Sequence, residues 1–113
     1  MMERLFVYGS LAPGRPNESV LAAVAGTWVT ATVRGHLRHE GWGAAIGFPG
    51  LVLADDGKEL PGLLFCSDQL DSHWAWLDQF EGEGYQRVPV SATLADGSIV
   101  QAQVYALRLD VQR

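Results

Sequence analysis

A glutamate continues an apolar stripe at the end of the one convincingly helical segment of the sequence. The stripe consists of Leu70, Trp74, Leu77 and Glu81, which recur at spacings of four, three and four residues. Gly82 follows as a natural C-cap and places Glu81 at the negative end of the helix dipole. Burial and the dipole both disfavour the charged carboxylate, so we expect a raised pKa for Glu81. A general acid and base that works near neutral pH requires such a shift.

The same pattern allows a second interpretation of this carboxylate. If the helix ends at Phe80, Glu81 turns out into water as an ordinary terminal residue. The helical spacing by itself leaves both interpretations open, because perturbed and unperturbed carboxylates occur at helix ends alike.

A second candidate for chemistry is the segment Tyr8-Gly9-Ser10-Leu11, where the first predicted strand ends. Gly9 permits a tight turn in which successive backbone N–H groups point the same way and bind a carboxylate or a developing oxyanion. The alternative is an ordinary exit from the strand, in which Gly9 only permits the bend. The segment is not a phosphate-binding loop, because it lacks the Gly-Lys-Ser/Thr signature and no helix begins directly after it.

Composition limits what the chain can be. Its 113 residues, 48% of them hydrophobic, predict one domain over residues 1–113 with a substantial core. The 8 basic and 13 acidic residues give a net charge of −5 without a basic cluster, which argues against nucleic acid or an anionic membrane as partner. No signal peptide or membrane span is evident, and Cys66 is the single cysteine. We therefore expect a cytoplasmic protein, and the sequence leaves its oligomeric state open.

The elements that must position these residues form an α+β domain. Strands are predicted at 5–8, 28–37, 51–53, 60–66, 85–94 and 99–107, and a first short helix at 17–26. Turn signals at Asp55-Asp56-Gly57 and Asp96-Gly97 predict two hairpins, and Asp68 or Asp71 is expected to open the helix that carries Glu81. Many short strands in a small chain favour a closed or partly closed β-barrel.

A glycine-rich segment at 41–50 contains an exposed-looking aromatic residue, Trp42. One hypothesis is a lid that orders over a bound ligand, because glycine-rich backbone is costly to order when the pocket is empty. The alternative is that Trp42 packs permanently into the core while the glycines only let the chain turn.

Several short motifs in a characteristic order resemble the gamma-glutamylcyclotransferase family in its small AIG2-like branch. They are Val7-Tyr8-Gly9-Ser10-Leu11, Gly14, Asn17, Phe48-Pro49-Gly50, Leu77-Asp78, Glu81-Gly82, Tyr85, Arg87 and Val104-Tyr105. The resemblance spans nearly the whole chain and rests on order and spacing rather than on any single motif. It implies a small mixed β-barrel with flanking short helices.

The resemblance also implies roles for these residues. The Tyr8 to Leu11 loop would bind the glutamyl moiety through the backbone of Gly9, Ser10 and Leu11, and Glu81 would be the catalytic acid and base. A gamma-glutamyl amine or amide would cyclise to 5-oxoproline and release the free amine. Because the nucleophile and the electrophile belong to one molecule, we expect no metal and no other cofactor.

Other candidates in the pocket keep two interpretations each. Tyr8, Tyr85 and Tyr105 could line the pocket or pack as ordinary strand residues. Arg87 could pair with a substrate carboxylate or form a structural ion pair, and Asp78 suggests a helix-surface or capping role. Two further functions also stay open, namely a non-catalytic binding module on the same fold and a gamma-glutamyl amidase that uses water.

Overall fold

The computed structural model describes residues 2–8, 21, 24–38, 50–82 and 85–107 of the chain. Six strands are assigned within them: β1 (Glu3–Val7), β2 (Thr27–Arg38), β3 (Gly50–Leu53), β4 (Lys58–Ser67), β5 (Tyr85–Leu94) and β6 (Ile99–Leu107). A 3-10 turn (Leu70–Ser72) and the helix α1 (Trp74–Glu81) connect β4 to β5. No helix among these residues is long and apolar enough to cross a membrane.

Five of the strands close into a mixed barrel. They are hydrogen-bonded in the order β1-β4-β2-β3-β6, and the parallel pairing of β6 with β1 completes the ring. The sixth strand, β5, runs antiparallel to β6 and pairs with β2 at Ala31 and Thr32. The α+β class and the small mixed barrel that the sequence predicts are therefore confirmed.

Both faces of the central strands are buried, so successive residues enter two different cores. Phe6, Leu64 and Val104 belong to one apolar cluster, which Val33, Leu51, Ala92 and others complete. Their chain neighbours Phe65 and Tyr105 belong to the second cluster, in which Trp74 and Leu77 from α1 also lie. This arrangement explains why the strands appear in the sequence as continuous apolar runs, and it places α1 over one face of the strands.

The two predicted hairpins have different outcomes. The Asp96-Gly97 hairpin is confirmed, because β5 and β6 pair directly and Gly97 has a φ of 88°. The hairpin at Asp55-Asp56-Gly57 is wrong, because β2 lies between β3 and β4 in the sheet. At Gly35, β2 pairs with β3 on one side and with β4 on the other.

The turn at 55–57 therefore moves the chain from one side of β2 to the other without reversing its direction. Glycine makes this crossing possible. A Cβ atom added to Gly57 would lie 2.7 to 2.8 Å from the backbone O, Cα and N atoms of Gly35. The local sequence signals a turn, but it does not say which strand occupies the space beside it.

The beginning of α1 also differs from the prediction. Neither Asp68 nor Asp71 caps it, because the segment first forms the 3-10 turn and the α-helix begins at Trp74 after His73. The predicted end is confirmed, since the helix stops at Glu81 and Gly82 adopts a φ of 84°. Of the predicted first helix at 17–26, only Leu21 and residues 24–26 lie within the described residues, and Leu21 is helical and buried.

Candidate functional site

Glu81 is the last residue of α1 and its side chain points inward. The residue is only 9% exposed, and burial raises the pKa of its carboxyl from 4.5 to about 7. The stripe formed with Leu70, Trp74 and Leu77 thus continues to the end of the helix, and these three residues are buried as well. The inward-facing interpretation is confirmed, and the alternative of a solvated terminal residue is wrong. At neutral pH this carboxyl can both accept and donate a proton.

Tyr8 follows β1 directly and connects three parts of the barrel. Its hydroxyl donates to the backbone carbonyl of Tyr105 at 2.7 Å and accepts the backbone N–H of Leu51 at 3.1 Å. Burial raises the pKa of Tyr8; the bond from Leu51 partly offsets this effect, and the negative charge of Glu81 adds to it. Tyr8 is therefore neutral, and its hydroxyl joins the end of β1 to β3 and β6.

Two further tyrosines belong to the candidate site. Tyr85 and Tyr105 are both buried in the cluster that lies beneath α1. Burial raises the pKa of Tyr105, with smaller contributions from Asp78 and from the charge of Glu81. Tyr8 and Tyr105 are thus neutral and lie near enough to Glu81 for its charge to raise their pKa values, and Tyr85 lies in the same apolar cluster as Tyr105.

Asp78 joins α1 to the last two strands. One carboxylate oxygen, Oδ1, accepts the Tyr105 hydroxyl at 2.6 Å and Arg87 Nε at 2.9 Å, while Oδ2 accepts Arg87 Nη2 at 3.3 Å. Burial alone would raise the pKa of Asp78, but the hydrogen bonds from Arg87 and Tyr105 outweigh it and lower that pKa. The guanidinium of Arg87 also lies 4.5 Å from the centre of the Trp74 ring.

The side chain of Arg87 is therefore held in the structural ion pair that the sequence left as one of two interpretations. For its partner, Asp78, the sequence alone suggests only a helix-surface or capping role. The available signal was its position, four residues after Trp74 and three before Glu81, which places it beside the stripe. That spacing does not reveal its partners, which lie 9 and 27 residues further along the chain.

A surface depression of about 480 Å³ adjoins this end of the helix. It is lined by Asp78, Gln79, Gly82, Tyr85, Gln86, Arg87 and Tyr105. Its walls combine aromatic rings with amides and one ion pair, which suits a small polar molecule better than an apolar one. Within the described part of the chain, no group of three or more His, Cys, Asp or Glu side chains is arranged to hold a metal ion.

Part of the predicted site cannot be compared with the structure. Gly9, Ser10 and Leu11 lie outside the described residues, and so does Trp42 with the rest of 41–49. The loop and the lid therefore stay predictions. The structure brings together the other predicted site residues, namely Tyr8, Glu81, Tyr85, Arg87 and Tyr105.

Known proteins resemble this chain in sequence and in fold. A family model described as "Gamma-glutamyl cyclotransferase, AIG2-like" matches residues 5–113. A search of curated protein sequences gives no match to this chain.

Among solved structures, YkqA from Bacillus subtilis is 29% identical with a TM-score of 0.71, and the alignment covers 96% of this chain and 36% of YkqA. A protein from Arabidopsis thaliana is 25% identical with a TM-score of 0.69, over 95% of this chain and 62% of that one. An AIG2-like protein from Mus musculus is 27% identical with a TM-score of 0.68, over 93% and 76% respectively.

The chain thus spans about a third of YkqA and less than two thirds of the Arabidopsis protein, but most of the mouse protein. The resemblance carried by the short motifs is confirmed by a match that covers nearly all of the sequence. The chain belongs to the AIG2-like gamma-glutamyl cyclotransferase family.

Proposed function

We propose that the protein is a gamma-glutamylcyclotransferase-like enzyme that converts a gamma-glutamyl amine or amide into 5-oxoproline and the free amine. The observation that carries the proposal is the buried carboxyl of Glu81, whose pKa is about 7. A group that ionises near neutral pH exchanges protons in both directions, as a reaction with one deprotonation and one protonation requires. Membership of the family supports the same reaction class.

The reaction begins with the substrate in its zwitterionic form. Glu81 accepts a proton from the alpha-ammonium, and the resulting amine attacks the gamma-carbonyl carbon of the same molecule. A C–N bond forms in the five-membered ring, and the original amide C–N bond breaks. Glu81 returns its proton to the departing nitrogen. The ring nitrogen loses a second proton to water, and the released amine takes up one proton from water.

The enzyme supplies little besides proton transfer, conformation and charge stabilisation. Both reacting groups belong to one molecule, so holding the substrate in its cyclising conformer removes most of the entropic barrier. We assign the binding of the glutamyl carboxylate and of the developing oxyanion to the backbone N–H groups of Gly9, Ser10 and Leu11. The proposed reaction needs no cofactor.

The aromatic residues form the remaining walls of the proposed site. Tyr8 and Tyr105 present ring surface, because each of their hydroxyls already donates a hydrogen bond within the protein. Arg87 contributes to the wall of the depression, while Asp78 holds its guanidinium. Binding of the substrate carboxylate is for this reason assigned to the loop rather than to Arg87.

The test compares Glu81→Gln with wild type. The protein is incubated with gamma-glutamyl amino acids, gamma-glutamyl amines and glutathione, and products are identified by mass spectrometry. Glutamine is nearly isosteric but cannot transfer a proton in this cycle, so we expect a loss of about 10²- to 10⁴-fold in turnover. Glu59→Gln is the matched control, because the Glu59 side chain is 60% exposed on β4.

Each alternative has its own signature in this experiment. Release of glutamate in place of 5-oxoproline would identify an amidase that uses water. Tight calorimetric binding of 5-oxoproline without turnover of any substrate would identify a binding module. Wild-type rates in a folded Glu81→Gln variant would contradict the proposed mechanism.

A further inference from the structure

Glu81 performs its proposed role only if the last turn of α1 is held in place, and α1 is a weak element by itself. It has eight residues, fewer than an isolated helix needs for stability in water. Within the described residues, the side chain of its N-cap residue, His73, makes no capping hydrogen bond. The orientation of the helix must therefore come from contacts with the barrel.

We propose that Asp78 is the positioning residue that fixes Glu81, because it ties the last turn of α1 to β5 and β6. The inference rests on the proposed function and assigns a role to a side chain that makes no contact with the reacting atoms in the proposed mechanism.

Asp78 acts on the helix end through two different groups. Its backbone carbonyl accepts the N–H of Gly82 at 3.1 Å, the hydrogen bond that closes the last turn around Glu81. Its carboxylate accepts the hydroxyl of Tyr105 on β6 and the guanidinium of Arg87 on β5. Hydrogen bonds to an ionised carboxylate are about twice as strong as neutral ones. One residue thus connects the turn that carries Glu81 to two adjacent strands.

The partners of Asp78 are themselves fixed. The backbone carbonyl of Tyr105 accepts the Tyr8 hydroxyl, and its ring is buried. Arg87 lies over the Trp74 ring, so it contacts the first turn of α1 as well as the last. Both ends of the helix therefore rest on the same guanidinium, and the network has a rigid base in the barrel.

The consequence for Glu81 is geometric. It lies three residues after Asp78, in the same helical turn. Without the carboxylate of Asp78, the last turn loses its hydrogen bonds to Arg87 on β5 and Tyr105 on β6, and the Glu81 carboxyl gains access to water. A displacement of about 1 Å in a reacting group can cost about 10²-fold in rate. Hydration would also return the pKa of Glu81 toward its ordinary value, since burial is what raises it.

The test uses Asp78→Ala, Asp78→Asn and the control Asp71→Ala, which removes the same charge from an exposed residue of the 3-10 turn. The pKa of Glu81 is measured by ¹³C NMR of side-chain carboxyls, and kcat and KM are measured on the substrate identified in the panel above. For Asp78→Ala we expect the Glu81 pKa to fall by about one pH unit or more, and kcat to fall about 10²-fold with a smaller change in KM.

The Asp78→Asn variant separates position from charge. Its side-chain amide would keep an acceptor oxygen for Tyr105 and Arg87 while removing the negative charge, so we expect it to restore most of the Glu81 pKa and of kcat. Asp71→Ala should leave both at wild-type values. An equal fall of the Glu81 pKa in Asp78→Asn and Asp78→Ala would show an effect of charge alone and would overturn the proposal. An unchanged pKa and kcat in Asp78→Ala would overturn it too.

The titration needs no substrate, so it separates this inference from the proposed function. If wild type turns over no substrate, the proposed function fails while the NMR experiment still decides whether Asp78 positions Glu81. If Asp78→Ala does not fold, Tyr105→Phe takes its place, because it removes one donor to the carboxylate and keeps the carbonyl that Tyr8 binds. A smaller fall of the Glu81 pKa is then expected, and an unchanged value would contradict the proposal.

Discussion

Replacing Glu81 with glutamine should make the protein more stable, and the gain should depend on pH. The pKa of this carboxyl is about 7 in the folded protein and 4.5 as a reference for the unfolded chain. The folded state therefore binds the proton more tightly than the unfolded state does. Proton binding to such a group stabilises the folded state. This contribution to the free energy of unfolding is fully present below pH 4.5 and is lost as the pH rises through about 7.

The magnitude follows from the two pKa values. At about 1.4 kcal/mol per pH unit, the difference between 4.5 and about 7 corresponds to about 3 kcal/mol by pH 8. The same linkage predicts that wild type loses almost no stability through ionisation of Glu81 at about pH 4 and loses about 2 kcal/mol at about pH 6. Glutamine carries no charge at any of these pH values. The free energy of unfolding of Glu81→Gln should accordingly rise relative to wild type by about 3 kcal/mol between about pH 4 and pH 8.

The assay is urea denaturation of both proteins at half-unit steps of pH, with the difference between their unfolding free energies plotted against pH. Subtraction removes the titration of all groups that the two proteins share. The hydroxyls of Tyr8 and Tyr105, which lie near Glu81, stay neutral over this range because their pKa values are raised. Glu59→Gln provides the control, because it makes the same chemical change on a side chain that is 60% exposed and pairs with the exposed Arg34 at 3.9 Å, a kind of ion pair that contributes little to stability.

A flat difference for Glu81→Gln over this pH range would refute the reasoning, because it would mean that burial does not perturb the carboxyl. A difference that falls with rising pH would refute it as well, since it would show a carboxylate that is stabilised in its charged form.

Three further predictions concern the same site and its support. In wild type, kcat/KM should fall about tenfold per pH unit below about pH 7, because the Glu81 carboxyl must be ionised to accept the first proton. A value of kcat/KM that is independent of pH between about pH 5 and 7 would contradict this prediction. Tyr8→Phe should lower the free energy of unfolding by about 1 to 3 kcal/mol, because it removes the hydroxyl that binds the N–H of Leu51 and the carbonyl of Tyr105. Unchanged stability in a denaturant titration would contradict this prediction and would show that water replaces the hydroxyl. Gly57→Ala should destabilise the barrel by about 1 to 3 kcal/mol, because its methyl group would meet the backbone of Gly35, and a thermal midpoint equal to that of wild type would contradict the close crossing.

Local sequence patterns were sufficient wherever the physical cause is local. The helical period of Leu70, Trp74 and Leu77 leads to Glu81, because residues three and four apart share a face of a helix. Gly82 marks the end of that helix because it can adopt a positive φ, and the same property of Gly97 marks the hairpin between β5 and β6. The helical period therefore identified Glu81 as the candidate carboxylate, and the structure decided that it faces inward with a raised pKa.

Interactions between distant parts of the chain were not predictable in this way. Nothing near Asp78 in the sequence indicates that its side chain accepts the hydroxyl of Tyr105, 27 residues further on. Nor does the first strand indicate that the hydroxyl of Tyr8 joins Tyr105 and Leu51. These contacts exist only because closure of the barrel brings the ends of β1, β3 and β6 together.

The amino-acid sequence by itself determined which segments become strands, where the helix ends and which acid is the candidate for acid–base chemistry, because apolar period and glycine conformation act over a few residues. Only the tertiary structure decided that β2 separates β3 from β4 and that Asp78 holds the end of the helix. The physical reason is that strand order minimises the free energy of the whole barrel. A turn at Asp55-Asp56-Gly57 satisfies its local hydrogen bonds equally well whether the next strand returns beside the last one or crosses its neighbour.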